Sequence, residues 1–349
     1  MLDQHYPALA AALPHLPLGH WPSPVTRLAS LGHNVFVKHD GYCGESYGGN
    51  KLRKLEHLFA DARARGCTSV MTYGVAGSNH ALATATYAAQ LGFDCYNLLT
   101  PQTNAHYVAQ NLLASLATGA QLVPCANDDE AHQHAARLRR ELGAGLYEIP
   151  GGGSSPLGTV GFVSAAFELL SQVRAGLLPL PDRIYVALGT MGTAAGISLG
   201  LAAAGVDTEV VPVRVVRPDI ANSEKFIALF ASTNRLLHQL DPGFPLLRPL
   251  APRIRHDQYG QQYAVFTQAG MAAKKRLFDD EQLKLEGTYT GKTMAALLSD
   301  LEQQRDDRTI LYWHTYNARP LAGAGSDYHE LPAPFHRYFE TPVQALDRA

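Results

Sequence analysis

The chain has 349 residues, 46% of them hydrophobic and 17% charged, with a formal net charge of −2. That length allows two domains, the apolar content is that of a packed globular protein, and the near-neutral balance excludes a basic nucleic-acid binder or membrane-surface protein. The four cysteines, Cys43, Cys67, Cys95 and Cys125, include no CxxC pair, so reduced thiols in a cytoplasmic protein are expected.

No basic residue precedes Arg27 apart from histidines, so no secretory signal is expected at the start of the chain. The first patterned stretch is Gly48-Gly49-Asn50-Lys51-Leu52-Arg53-Lys54-Leu55-Glu56. It sets Lys51 on a tight loop that feeds a helix. A lysine held so is a candidate Schiff-base nucleophile, because burial and neighbouring cations lower its pKa and free its lone pair. A surface loop before an amphipathic helix fits these residues equally well.

Leu52, Leu55, Leu58, Phe59 and Ala62 form a helical stripe over 52–65, stopped at Gly66. A buried strand is expected over 68–73, a turn over 74–77, and a helix over 79–91 ending at Gly92. Then come a strand over 93–99, a helix reaching residue 116, a strand over 121–125, a helix over 128–142 and a strand over 146–149. The 128–142 helix carries acids at its start and Arg137, Arg139 and Arg140 near its end, which suits the helix dipole. Such alternation implies parallel strands with right-handed crossovers. A second α/β region follows, with a helix over 161–172, a strand over 183–188, a helix over 193–204 and a strand over 209–216. The uncharged run 184–206 is long enough to span a bilayer. Its glycines Gly189, Gly192, Gly196, Gly200 and Gly205, with Thr190, Thr193 and Ser198, instead predict a strand, a glycine loop and a small-residue helix. Beyond residue 218, Pro242, Pro245, Pro249 and Pro252 break up the pattern and leave it unassigned.

Ligands of such sheets bind at loops beyond the carboxyl ends of strands. The loop Gly74-Val75-Ala76-Gly77-Ser78-Asn79-His80 offers glycines for close approach, a helix cap at Ser78 or Asn79, and free N–H groups for a carboxylate. Gly189-Thr190-Met191-Gly192-Thr193-Ala194-Ala195-Gly196 reads as a cradle for a phosphate ester. It has neither the Rossmann spacing nor a P-loop ending, which argues against a nicotinamide or ATP site. Gly151 to Gly158 is either a hinge or a ligand loop. The stretches 285–292 and 310–317 each end in hydroxyl or amide side chains, either to present them to a ligand or as plain turns. His132 and His134, two apart on a helix, face different ways, and no metal site is expected.

Together, Lys38-His39-Asp40, the Gly48–Glu56 stretch, Gly77-Ser78-Asn79-His80, Gly153-Ser154-Ser155-Pro156-Leu157-Gly158, the loop from Gly189, and Tyr289-Thr290-Gly291-Lys292 resemble the fold-type-II pyridoxal-phosphate enzymes. These form the tryptophan-synthase-β-like superfamily, and the resemblance is closest to D-cysteine desulfhydrase and 1-aminocyclopropane-1-carboxylate (ACC) deaminase. It implies two α/β domains of parallel twisted sheets flanked by helices, with the cofactor between them. Residues 52–160 would form the small domain, and 1–51 with 161–349 the large one. It implies that Lys51 bonds pyridoxal 5′-phosphate and then acts as base, and that Lys54 is a nearby or phosphate-contacting cation. Asn79 would meet the cofactor's ring oxygen, and Gly189, Thr190, Met191, Gly192 and Thr193 its phosphate. Thr315 would face the ring nitrogen, the amides around Ser78, Asn79 and His80 would take the substrate carboxylate, and Ser78 and Tyr289 would assist proton transfer.

ACC deaminases carry a glutamate after the tyrosine, where this chain has Thr290. That favours α,β-elimination from a small amino acid, of the D-cysteine or β-substituted-alanine type, to ammonia and a 2-oxo acid. Family members have a Gly-Gly pair where this chain has Tyr316-Asn317, which adds a large ring beside the cofactor, to narrow the pocket, add a proton donor or re-aim the substrate, and leaves replacement or cyclisation chemistry as an alternative. ACC-like ring opening, a binding protein that keeps the pocket, and a dehydrogenase built on the Gly189 loop are the other readings. A homodimer without nucleic-acid or membrane partners is implied.

Overall fold

The computed structural model describes residues 2–249, 251–303, 308–321 and 325–348. Two short helices, α1 (Leu2–His5) and α2 (Pro7–Ala12), precede strands β1 (Val25–Arg27) and β2 (Val35–His39). Then come α3 (Leu52–Ala64), β3 (Ser69–Val75), α4 (Asn79–Leu91), β4 (Asp94–Thr100), α5 (His106–Ala117), β5 (Gln121–Pro124), α6 (Asp128–Leu142) and β6 (Leu146–Ile149). The second half holds α7 (Pro156–Arg174), β7 (Arg183–Leu188), α8 (Gly192–Ala203), β8 (Glu209–Arg214), α9 (Ser223–Leu240), α10 (Gln268–Glu281), α11 (Thr290–Gln303), β9 (Ile310–His314) and α12 (Arg337–Glu340).

The first α/β series closes into a four-stranded parallel sheet, ordered β5-β4-β3-β6. The other sheet is ordered β1-β2-β9-β7-β8, parallel throughout except for the antiparallel edge strand β1. In it β9 lies between β2 and β7, with Val35 opposite Ile310 and His39 opposite His314. This pairing joins the two ends of the chain, so no local pattern announces β1 or β2.

Two expectations need correcting. The helix expected over 161–172 starts five residues earlier, at Pro156: the Ser155 hydroxyl accepts the Gly158 N–H at 3.1 Å, and a proline at the first helical position suits a helix start. The stretch after residue 218 contains three long helices, α9, α10 and α11, and its proline-broken part, 241–267, lies between α9 and α10. The uncharged run 184–206 holds β7, the glycine loop and α8, and among the described residues no helix is long and apolar enough to cross a membrane. Its small residues serve packing. A methyl on Gly196 would lie 2.5 Å from the Phe162 Cβ and one on Gly200 2.6 Å from the Ala166 Cβ, so α8 lies tightly on α7.

Under the cleft runs a buried ionic cluster. Arg53 reaches Asp40 at 2.8 Å and Glu168 at 3.0 Å, while Lys38 meets Glu168 at 2.5 Å and the Trp313 indole donates to Asp40 at 2.8 Å. Burial opposes ionisation of both carboxyls, but the Arg53 guanidinium outweighs it and holds them below their usual range. The cluster ties β2, α3, α7 and β9 together and fixes the start of α3.

Candidate active site

The carboxyl ends of β3, β7 and β9 and the loop after β2 all open on one cleft of ≈ 760 Å³. Lys51 reaches it because of the glycine pair before it. A methyl on Gly48 would sit 1.9 Å from the Gly41 carbonyl oxygen, and Gly49 has φ +93 with Thr315 O only 2.7 Å from a Cβ. Glycine alone allows both contacts. The loop is held by Gly49 N–H to Asp40 O at 2.7 Å, Gly48 N–H to Asn317 Oδ1 at 2.7 Å and Asn50 N–H to Thr315 O at 3.1 Å.

Lys51 and Lys54 are three apart at the start of α3, so they share a helix face. The intervening Arg53 turns to the ionic cluster. The Lys51 Nζ donates to Asn50 Oδ1 at 3.0 Å, and the Lys54 Nζ to Gly152 O at 3.0 Å and Ser154 Oγ at 2.9 Å. Neither ammonium has a carboxylate within ion-pair distance among the described residues. Burial lowers the Lys51 pKa to about 8, and burial together with the Lys51 charge takes Lys54 well below the usual lysine range.

The loop from Gly189 turns β7 into α8. Thr190 and Ser154 share a hydrogen bond of 2.7 Å, and the Asn50 amide donates to Thr193 Oγ1 at 2.9 Å. A methyl on Gly192 would lie 2.7 Å from Ser154 Oγ and 2.9 Å from Lys54 Nζ, so only glycine leaves this space open. Met191 holds φ 66, a left-handed conformation costly for a side chain of its kind and found where a site imposes it. Gly151 to Gly158, read from sequence as hinge or ligand loop, brings Gly152 and Ser154 to this cradle.

On the opposite wall, Ser78 caps α4, its Oγ accepting the Ala81 N–H at 3.1 Å. The Asn79 Oδ1 accepts from Asn111 Nδ2 at 3.0 Å, and the Asn79 amide nitrogen, without a protein partner among the described residues, is left for the cleft that Asn79 lines. The His80 ring is committed elsewhere: Thr72 Oγ1 donates to Ile149 O and so accepts from His80 Nε2 at 2.9 Å. Burial, then the two lysines, push this imidazole well down, so it is neutral. Its Nδ1 is buried without a hydrogen-bond partner among the described residues, and its backbone amide lies at the start of α4.

At the far end, Tyr289 and Tyr263 share a short hydrogen bond, and burial raises both phenols above their usual range. Tyr263 sits in the irregular 241–267 stretch, and no sequence signal marked it. Glu286 also lines the cleft, but its carboxylate is saturated by the N–H groups of Thr288, Tyr289 and Thr290 and by the Thr290 hydroxyl. Thr290 is therefore spent on capping its own turn, whereas the Thr315 hydroxyl, with no protein partner among the described residues, faces the cleft. Tyr316 lines the cleft next to it, and Asn317 bonds the lysine loop instead.

This donor set fits pyridoxal phosphate. Two unneutralised buried ammoniums, a helix start with a glycine-walled hollow, and a free amide donor await an anionic group and a polar ring.

The family profile described as "Pyridoxal-phosphate dependent enzyme" matches residues 16–315. The chain is 35% identical over 324 residues to the D-cysteine desulfhydrase of Salmonella typhi, covering 88% of this chain and 95% of that protein. A crystal structure of an ACC deaminase homologue superposes with TM-score 0.78 at 28% identity, over 95% of this chain and 98% of the other. The processed form of threonine deaminase isoform 2 from Solanum lycopersicum superposes with TM-score 0.63 at 17% identity, over 97% and 93%, and shares the fold.

Proposed function

The chain belongs to the pyridoxal-phosphate dependent enzymes, and on that premise we propose that it eliminates the β-substituent of a small amino acid of the D-cysteine or β-substituted-alanine type, releasing ammonia and a 2-oxo acid. It is a fold-type-II enzyme, a lyase whose cofactor is pyridoxal 5′-phosphate. The observation that carries the reading is the pair of buried, carboxylate-free ammoniums of Lys51 and Lys54 on one face of α3. The 35% relative named for D-cysteine and the hydroxyl at Thr290 in place of a carboxylate support elimination.

Lys54, Gly189, Thr190, Met191, Gly192 and Thr193 would hold the cofactor phosphate, Asn79 its ring oxygen and Thr315 its ring nitrogen, with Lys51 as the point of covalent attachment. When bound, the cofactor supplies an electron sink for the pair left on Cα. Lys51 Nζ, released from the cofactor when the substrate amine takes its place and with its pKa lowered by burial to about 8, would take the Cα proton. The amides at the start of α4, from Ser78 to His80, receive the substrate carboxylate, and the Ser78 hydroxyl assists the transfer. Tyr289 Oη, kept protonated by burial and backed by the Tyr263 hydroxyl, gives a proton to the departing substituent. The substituent leaves as its conjugate acid, and water converts the remaining enamine to ammonia and the 2-oxo acid.

An absorbance spectrum of the purified protein, followed by titration with D- and L-amino acids and ACC, tests this. A visible band that shifts with D-cysteine, with ammonia and keto acid in stoichiometric yield, is expected. Shifts confined to ACC would move the activity to ring opening, and sub-stoichiometric ammonia to replacement. A colourless protein that stays so with added cofactor would overturn the reading. The same reading extends to a cytoplasmic homodimer, in which the four unpaired cysteines stay reduced. Light scattering at a monomer mass would remove the dimer.

A further inference from the structure

Tyr316 is a ring that the fold holds unusually firmly at a place where the cleft offers it nothing to bond. Its backbone is clasped on both sides. A methyl on Gly41 would stand 2.8 Å from its carbonyl oxygen, Thr315 O accepts the Asn50 N–H at 3.1 Å, and Ala318 N–H donates to Gly41 O at 2.9 Å. Asn317 completes the clasp. Its Oδ1 accepts from Gly48 N at 2.7 Å and Arg319 N at 3.1 Å, and its Nδ2 donates to Arg319 O at 2.9 Å. The same clasp that fixes Lys51 therefore fixes Tyr316. The ring is further pinned by the Lys284 ammonium, 5.7 Å from its centroid.

The hydroxyl has no hydrogen-bond partner among the described residues, although the ring lines the cleft and is largely covered. Burial raises this phenol above its usual range, so it stays a neutral donor. Tyr263 and Tyr289 are engaged with each other and Glu286 with four donors, which leaves the hydroxyls of Thr315 and Tyr316 open to the cleft. The hydroxyl opens on the cleft rather than on protein, so a ligand acceptor is free to take its proton in a hydrogen bond.

We propose that Tyr316 is the specificity-determining residue of the cleft: its hydroxyl donates to the β-substituent of a short, uncharged substrate, and its fixed ring excludes longer ones. The inference deepens the lyase reading and rests on it. It names the substrate class as amino acids with a small hydrogen-bond-accepting group on Cβ, a thiol or hydroxyl.

The test is binding to the cofactor-loaded protein, by rapid-mixing spectral titration read before turnover, of serine, alanine and O-benzylserine, in both enantiomeric series. For the wild type, serine should bind more tightly than alanine, which has no β-substituent, and O-benzylserine should not bind. Y316F should cut the serine-over-alanine preference about tenfold, the effect of one lost hydrogen bond. Y316A should admit O-benzylserine. If Y316F keeps the wild-type ratio and Y316L and Y316A still exclude the long substrate, the inference is overturned while the lyase reading stands. If the wild type binds none of these amino acids in either series and eliminates no substituent from D-cysteine, both fail together.

Discussion

Two pairs of buried cations lie within seventeen residues of each other and behave in opposite ways. Lys38 and Arg53 are met by Asp40 and Glu168 in a closed cluster that the protein completes for itself. Lys51 and Lys54 lie one helix face away and have only neutral oxygens as partners. The first pair is framework, since each charge is paired where it is desolvated. The second carries a desolvation cost that no paired carboxylate offsets, the Glu286 charge acting on Lys51 only from beyond ion-pair distance, which a protein sustains where a ligand brings the missing charge. Arg53 and Lys54 are adjacent in sequence, so the α-helical turn between them separates framework from site.

The largest effect should come from the unpaired set. K51A removes both the covalent anchor and the base, so turnover should fall on the order of 10⁴-fold or more, with the visible band lost. A K51A protein that kept its band would transfer the anchor to another lysine. Breaking the paired set should instead show in stability. E168A leaves Lys38 and Arg53 facing each other without their shared carboxylate and should cost about 3–5 kcal/mol in urea unfolding. A loss below about 1 kcal/mol would mean that the cluster is not the framework.

How far the chain announces this division follows from how local each part is. The glycine pair before Lys51, the caps at Ser78 and the Gly189 loop are short-range patterns, and the structure puts all of them on one cleft. Residues 52–149 were legible as elements because their strands pair with near neighbours in sequence. Tyr263 and Asn317 were not legible as site residues, and Ser154 only as part of a loop that could equally be a hinge. Tyr263 lies in a proline-broken stretch without periodicity, and Asn317 acts on Gly48 from the far end of the chain. The β2–β9 pairing that brings them together is equally non-local. Thr290 shows the reverse: its position in the motif was plain, but its hydroxyl is spent on Glu286.

A smaller effect sharpens the comparison. K54M takes a charge out of the glycine-walled hollow, so cofactor affinity should drop roughly 10–100-fold, the worth of one charge-assisted contact. The apoprotein should not lose stability, because no partner carboxylate is stranded. Dialysis equilibrium and apoprotein unfolding measure the two. A large loss of apoprotein stability would put Lys54 with the framework cations.

The smallest effect is a pH dependence that belongs to the unpaired lysines. Lys51 has a folded pKa of about 8, against an ordinary lysine value of about 10.4. Between those values the unfolded chain holds the proton that the folded apoprotein has released. Stability therefore rises with pH across that window, and below it the buried ammonium is a standing penalty. K51M has neither the penalty nor the gain. Its apoprotein should be more stable than wild type at pH 7, and the margin should shrink as pH rises from about 8 toward 10. Lys54, held down in part by the Lys51 charge, is relieved in K51M and adds to the margin in the same sense, while lowered lysines and raised tyrosines that do not feel Lys51 cancel in the difference. Urea midpoints of the two apoproteins at about pH 7, 8, 9 and 10 give the margin directly. A margin that stays constant would mean that Lys51 titrates as an ordinary lysine and is not held ready as a base.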